Sequence, residues 1–132
     1  TPPTPDRSIS SMKKPTDEVY ASIVAAQERA QPFVYPTGLI EIPMSPISDV
    51  NAFRTNYWKL DWFLEAIRSG VEWAIEHRAC FDFLAHPSCL VVEDPGFETI
   101  KMICETVRSA GDKAAIVGLD AFAGRARSAG RR

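Results

Sequence analysis

The sequence predicts an α/β fold in which about three parallel strands alternate with helices. Three short apolar runs, at residues 38–43, 80–86 and 114–118, have the length and composition of strands. Longer segments follow them in which apolar residues recur every three or four positions, as they do on one face of a helix. Strand and helix thus alternate three times, which is the pattern of a parallel sheet built from crossover units.

Residues 1–15 are predicted to form a linker or an extended loop, because they contain four prolines and no apolar periodicity. The domain is then expected to occupy residues 16–132. Thr16 suits the N-cap of a first helix, and the apolar residues after it recur at helical spacing until Pro32 ends the pattern.

The longest predicted helix runs from about residue 56 to 77, with Gly70 as its weak point. Asp94, which a proline follows, suits the N-cap of the next helix, and Gly111 lies just past the end of that helix. A last short helix is expected from about Asp120. A sheet of only three strands would leave two open edges, and the chain does not begin with methionine, so we expect part of a larger barrel or sheet.

Composition narrows the classes of partner. The formal net charge of -2 gives no electrostatic reason to expect nucleic acid or an anionic membrane surface as partner, and no apolar run is long enough to cross a bilayer. Three cysteines without a C-x-x-C pair argue against a disulfide framework or a cysteine zinc site. Reduced, mostly buried thiols are expected, and they slightly favour a cytoplasmic location.

His86 is the leading candidate for a catalytic residue. It closes the apolar run "FDFLAH" and is followed by Pro87, and ligands of α/β folds bind where strands end. Because the pKa of a histidine side chain normally lies near neutrality, such a residue suits proton transfer. The alternative is a structural histidine at the rim of the core, bonded to a backbone carbonyl.

Asp49 and Arg54 are candidates for substrate binding. They are the charged residues of "PMSPISDVNAFR", a proline-rich segment that leads from the first predicted strand to the long helix and should cross the mouth of a site. The alternative is that Asp49 caps the following turn and that Arg54 is solvated or paired with it.

Other constellations are weaker. His77, at the end of a helix, suits the helix dipole. A complete zinc site is hard to assemble from two histidines on separate elements, and no G-x-S-x-G elbow surrounds Ser88. Trp58 and Trp62, four residues apart, are more typical of a packed helix face than of a sugar-binding platform.

Three segments, "YPTGLIEIPMSPISD", "FDFLAHPSCL" and "AAIVGLDAFAGRA", resemble in order and spacing the C-terminal half of the polysaccharide deacetylase family, also called the NodB homology or carbohydrate esterase family 4 domain. The branch that they resemble contains peptidoglycan-deacetylase-like and allantoinase-like proteins. The resemblance covers roughly residues 30 to 127. It implies that the chain is the C-terminal part of an irregular (β/α) barrel, whose N-terminal half would be a partner missing from this sequence.

The resemblance also implies a function. Members of the family are metal-dependent hydrolases of carbon–nitrogen bonds such as those of N-acetyl groups on sugars, with zinc or another divalent metal held by an aspartate and two histidines. The family's T-F-D-D and H-x-x-x-H motifs, which supply metal ligands and base, have no counterpart here, so the ligands are expected outside this chain and the segment alone is expected to be inactive. The family's late L-x-x-H motif falls on "FLAH", which makes His86 the acid that protonates the departing amine.

Two alternatives stay open at this point. The chain could be a non-catalytic module that binds a glycan or a partner through an exposed sheet edge and the tryptophan-rich helix, and it could form a homo-oligomer. It could also belong to an allantoinase-like hydrolase, which opens a small cyclic amide instead of deacetylating a carbohydrate.

Overall fold

The structure, a computed structural model, describes residues 13–130. Most of the predicted linker, residues 1–12, therefore lies outside the described residues. Helices account for 61% of the described chain and strands for 3%. The helices are α1 Asp17–Arg29, α2 Leu60–Glu76, α3 Pro87–Glu93, α4 Glu98–Ala110 and α5 Leu119–Gly130, and the strands are β1 Phe33–Val34 and β2 Ile40–Glu41.

The four helices predicted from the sequence are present as α1, α2, α4 and α5, although α2 begins at Leu60 and not near residue 56, and α3 was not predicted. Thr16 caps α1, because its hydroxyl accepts a hydrogen bond from the backbone N–H of Val19. The carboxylate of Asp94 accepts the N–H groups of Glu98 and Thr99, both at 2.8 Å, so it caps α4 although that helix starts four residues later. Gly111, at the end of α4, has a φ of 60°, the left-handed region in which glycine is favoured.

The core lies where α2 packs between α1 and α4. Its largest fully buried apolar side chains are Phe53, Phe63 and Ile67, and the rings of Phe53 and Phe63 meet edge to face with their centroids 4.8 Å apart. Trp58 is buried in the same cluster, as the structural interpretation expected, but it lies before α2 and not on a helix face, and its burial leaves little of its ring for a sugar.

The predicted parallel sheet is wrong. The described residues contain one two-stranded antiparallel sheet, in which Phe33 pairs with Glu41 and Val34 with Ile40. The sheet is therefore a local hairpin. The backbone hydrogen bonds of the described residues do not form the parallel strands of a (β/α) barrel. The turn before β2 includes Gly38, whose φ of 90° few other residues adopt.

Each of the three predicted strands fails for an identifiable reason. Within residues 38–43, only Ile40 and Glu41 pair, and they pair with the preceding strand of the hairpin. Residues 80–86 are extended but have no ladder partner among residues 13–130. Residues 114–118 also have no ladder partner among the described residues, and most of them are exposed. The apolar composition of the last two segments therefore predicted strands, but a ladder also needs a neighbouring strand.

Side chains and one backbone bond hold the extended segment 80–86 in place of a ladder. The N–H of Cys80 donates to Gln31 Oε1 at 2.8 Å, and the carbonyl of Cys80 accepts from Gln27 Nε2 and Gln31 Nε2, both at 3.0 Å. Further along, Ser45 N–H donates to the carbonyl of Asp82 at 2.9 Å. The segment is thus tied to α1 at its start and to the loop after β2 in its middle.

All three cysteines are free, with Cys80 and Cys89 buried and Cys104 exposed. Within the described part of the chain, no helix combines the length and the apolar character that a membrane span requires.

Candidate functional site

Asp49 stands at the centre of the candidate site. It directly precedes a π-helical turn, Val50–Thr55, and its carboxylate oxygen Oδ1 accepts the backbone N–H of Val50 at 2.8 Å. The residue is 0% exposed. A carboxylate that is removed from water in this way needs hydrogen-bond donors, so its neighbours determine what it does.

His86 supplies two of those donors. Its backbone N–H donates to Asp49 Oδ2 at 2.6 Å, and its ring nitrogen Nδ1 lies 2.8 Å from Asp49 Oδ1. The buried carboxylate therefore receives three N–H groups, two from His86 and one from Val50. The His86 side chain itself is 47% exposed, so one side of the ring is held by the protein and the other is open to solvent.

This arrangement fixes the roles of the two ring nitrogens. An ionised carboxylate only accepts hydrogen bonds, so Nδ1 must carry the proton that it shares with Asp49. Nε2, which has no partner among the described residues, is then an acceptor in the neutral ring and a donor in the protonated ring. A buried acid that orients an exposed imidazole is an arrangement suited to moving a proton at Nε2.

The local sequence explains how His86 is presented. Pro87 is the first residue of α3, where a missing N–H is harmless, and a proline forces the residue before it into an extended conformation. His86 accordingly has φ -108° and ψ 119°, and its carbonyl accepts the N–H groups of Cys89 and Leu90. The histidine thus sits where the extended segment 80–86 turns into α3.

Arg54, on the π-helical turn, lies at the edge of the same site. It donates a hydrogen bond to the buried thiol of Cys89, and its guanidinium Nη1 is 4.0 Å from Glu93 Oε1. Burial raises the pKa of the Cys89 thiol, and the bond from Arg54 works against that rise. Arg54 therefore links the turn after Asp49 to α3, and 43% of its side chain is exposed.

The structure joins two of the three predicted site residues directly and places the third, Arg54, beside α3, at whose start His86 lies. Asp49 and His86 are bonded directly, and Arg54 reaches the site through Cys89 and Glu93. The alternative for Asp49 holds in part, since it does cap the following turn, whereas Arg54 pairs with Glu93 and not with Asp49. For His86, the acceptor is a carboxylate and not the backbone carbonyl of the structural alternative.

Two residues of the site were missed by sequence reasoning. Cys89 and Glu93 lie three and seven residues after His86, a spacing that places both on the side of α3 that carries His86 at its start. That spacing was the available signal, but it becomes informative only once a helix is known to begin at Pro87. His77, the other histidine, is not part of the site. Its Nδ1 is 2.8 Å from the carbonyl of Trp73, and its ring stacks on the ring of Trp73.

The described residues do not fit the metal that the family resemblance implies. Across residues 13–130, no group of three or more histidine, cysteine, aspartate or glutamate side chains is arranged to hold a metal ion. Nδ1 of His86 is already engaged with Asp49.

Comparisons with known proteins add no family. The sequence matches no protein-family model, no curated protein and no solved structure. The functional assignment therefore depends on the geometry of the site and on the resemblance of the three sequence segments.

Proposed function

We propose that His86 is the proton-transferring residue of a hydrolase that acts on carbon–nitrogen bonds other than peptide bonds, such as the N-acetyl groups of sugars. The observation that carries the proposal is the bond between the buried Asp49 carboxylate and Nδ1 of the exposed His86 ring. It leaves Nε2 free to donate a proton to a departing amine.

Asp49 has a positioning role in this proposal. It contacts no substrate, because it is fully buried, but it holds the ring in one tautomer and one orientation. The substrate-binding role proposed for Asp49 from the sequence is therefore replaced by this one.

Arg54 keeps its proposed contact with substrate. Its side chain is 43% exposed and is anchored at one end of the site by Cys89 and Glu93. Its exposed guanidinium carries N–H groups that suit a carbonyl or hydroxyl oxygen of a polar substrate.

The resemblance adds the metal to the proposal. The ligands of a zinc or other divalent ion would lie outside this chain, and no step assigned to His86, Asp49 or Arg54 depends on that ion. Every role assigned above belongs to residues of this chain.

The test is the activity of the longest natural polypeptide that contains these residues, with N-acetylglucosamine oligomers and allantoin-like cyclic amides as substrates. We expect His86→Ala to lower kcat by roughly 10²- to 10⁴-fold with little change in KM, because a general acid acts in the transition state. Asp49→Asn should also lower kcat, and Arg54→Ala should mainly raise KM.

His77→Ala is the matched control, since it removes the other histidine from a helix end that is not part of the site. Wild-type kcat in the folded His86→Ala protein would refute the proposal. Activity on the cyclic amides and not on the acetylated sugars would assign the enzyme to the allantoinase-like class instead.

A further inference from the structure

A groove of about 470 Å³ lies on another part of the molecule, between the start of α1 and the chain from Pro46 to Trp58. Its apolar wall includes Ile23, Ile47 and Trp58. Ile47 and Trp58 belong to the hydrophobic core, so this wall is rigidly supported from behind.

The rim of the groove is basic. Lys13 and Lys14 line it, and neither forms an ion pair with any residue between 13 and 130. No aspartate or glutamate is among the described residues that line it.

The polar groups on the opposite side are already committed. The amide Nδ2 of Asn56 donates to the carbonyl and to Oδ1 of Asn51, at 2.9 Å and 3.0 Å. Lys13 and Lys14 are the two cationic side chains among the described residues that line the groove, and an ammonium group at the end of a flexible stem binds an anion as a point charge.

We propose that this groove binds a small amphipathic anion, with its charged head group at Lys13 and Lys14 and its apolar body along Val19 and Ile23, above the buried side chains of Ile47 and Trp58. The volume lies within the range of small-molecule sites, and the combination of an apolar wall with a few convergent polar groups is typical of them. This proposal is independent of the function proposed for His86.

The experiment titrates the 132-residue protein with octanoate, using its neutral analogue octanamide as the matched probe. We expect octanoate to bind at least about tenfold more tightly than octanamide, because only octanoate carries the charge that the lysines recognise. In methyl NMR spectra, octanoate should shift the signals of Ile23 and Ile47. Equal affinity for the two probes, or shifts confined to other methyl groups, would overturn the proposal.

Two variants with matched controls separate charge from shape. The double variant Lys13→Glu/Lys14→Glu should weaken octanoate binding at least about tenfold, whereas Lys101→Glu/Lys113→Glu, with the same change in net charge, should not. Val19→Trp should fill the groove and abolish binding of both probes, and Val92→Trp, at another exposed valine, should leave it unchanged.

Binding should survive His86→Ala, so a failure of the enzymatic proposal leaves this one intact. If Lys13→Glu/Lys14→Glu and its control bind octanoate equally well, the lysines do not recognise the anion and the proposal is wrong.

Discussion

Removing the His86 side chain tests the bond that links the two halves of the candidate site. His86→Ala deletes the contact between Nδ1 and Asp49 Oδ1, at 2.8 Å, but leaves the backbone N–H of residue 86 and that of Val50 on the same carboxylate. The buried charge therefore loses one of three donors. Because the side chain is 47% exposed, little apolar burial is lost with it.

The expected loss of stability follows from that one bond. A hydrogen bond to a charged group contributes about 1.5 to 3 kcal/mol, so His86→Ala should lower the free energy of unfolding by about that amount. With an unfolding entropy of about 2.1 cal/mol/K per residue, a chain of this length should lose roughly 5 to 11 °C in Tm. Asp49→Ala should cost more, since it also leaves the N–H groups of Val50 and His86 without an acceptor.

Urea unfolding of the wild type, His86→Ala, Asp49→Asn and the double variant forms a double-mutant cycle. We expect a coupling energy between the two positions of about 1 to 3 kcal/mol, the range found for residues in contact. His77→Ala again serves as the control and should change stability by less than about 1 kcal/mol. A His86→Ala protein as stable as the wild type, with no coupling to position 49, would show that the bond contributes nothing and would refute this reasoning.

Three further predictions concern other parts of the molecule. Gly70→Ala should destabilise the protein by about 1 to 3 kcal/mol in urea unfolding, because a Cβ there would meet the Phe81 ring at 2.6 Å, whereas Gly124→Ala, with open space around it, should be neutral or stabilising. Burial raises the pKa of the Cys80 thiol from 9.0 to about 11, so between those values the unfolded chain releases a proton that the folded chain keeps. Stability should therefore fall as the pH rises from 9 to 11, and less steeply in Cys80→Ala; an unchanged slope would contradict the assignment. Finally, calorimetry should find only weak zinc binding to the 132-residue chain, and stoichiometric binding at micromolar affinity or tighter would contradict the absence of a ligand group among the described residues.

Helices were predictable because their signals are local. Each signal lies within or next to the helix that it predicts. Examples are the apolar stripe of α2, the cap at Thr16 and the glycine at position 111. The hairpin was missed although Gly38 marks its turn, because β1 and β2 pair over only two residues each. The segments 80–86 and 114–118 were predicted as strands since their composition favours extended backbone, but pairing depends on a second segment that composition does not identify.

The candidate site shows the same difference between local signals, which a sequence reveals, and long-range contacts, which it does not. His86 and Asp49 could each be singled out, one at the end of an apolar run and the other in a proline-rich loop. Their direct bond joins residues 37 positions apart, and it depends on how the π-helical turn packs against α3. Sequence reasoning therefore found the participants and the region, but not the contact that gives Asp49 its role.

The extended segment 80–86 has a consequence for how the molecule opens. At one end it is bonded to Gln27 of α1 and to Gln31, which follows α1, and at the other end His86 is bonded to Asp49. Slow hydrogen exchange should therefore reach the amides of Cys80 and His86, which lie outside regular secondary structure. Because Cys80 is bonded to Gln31 and His86 is bonded to Asp49, opening of the chain around Cys80 should leave the bond that orients the histidine in place.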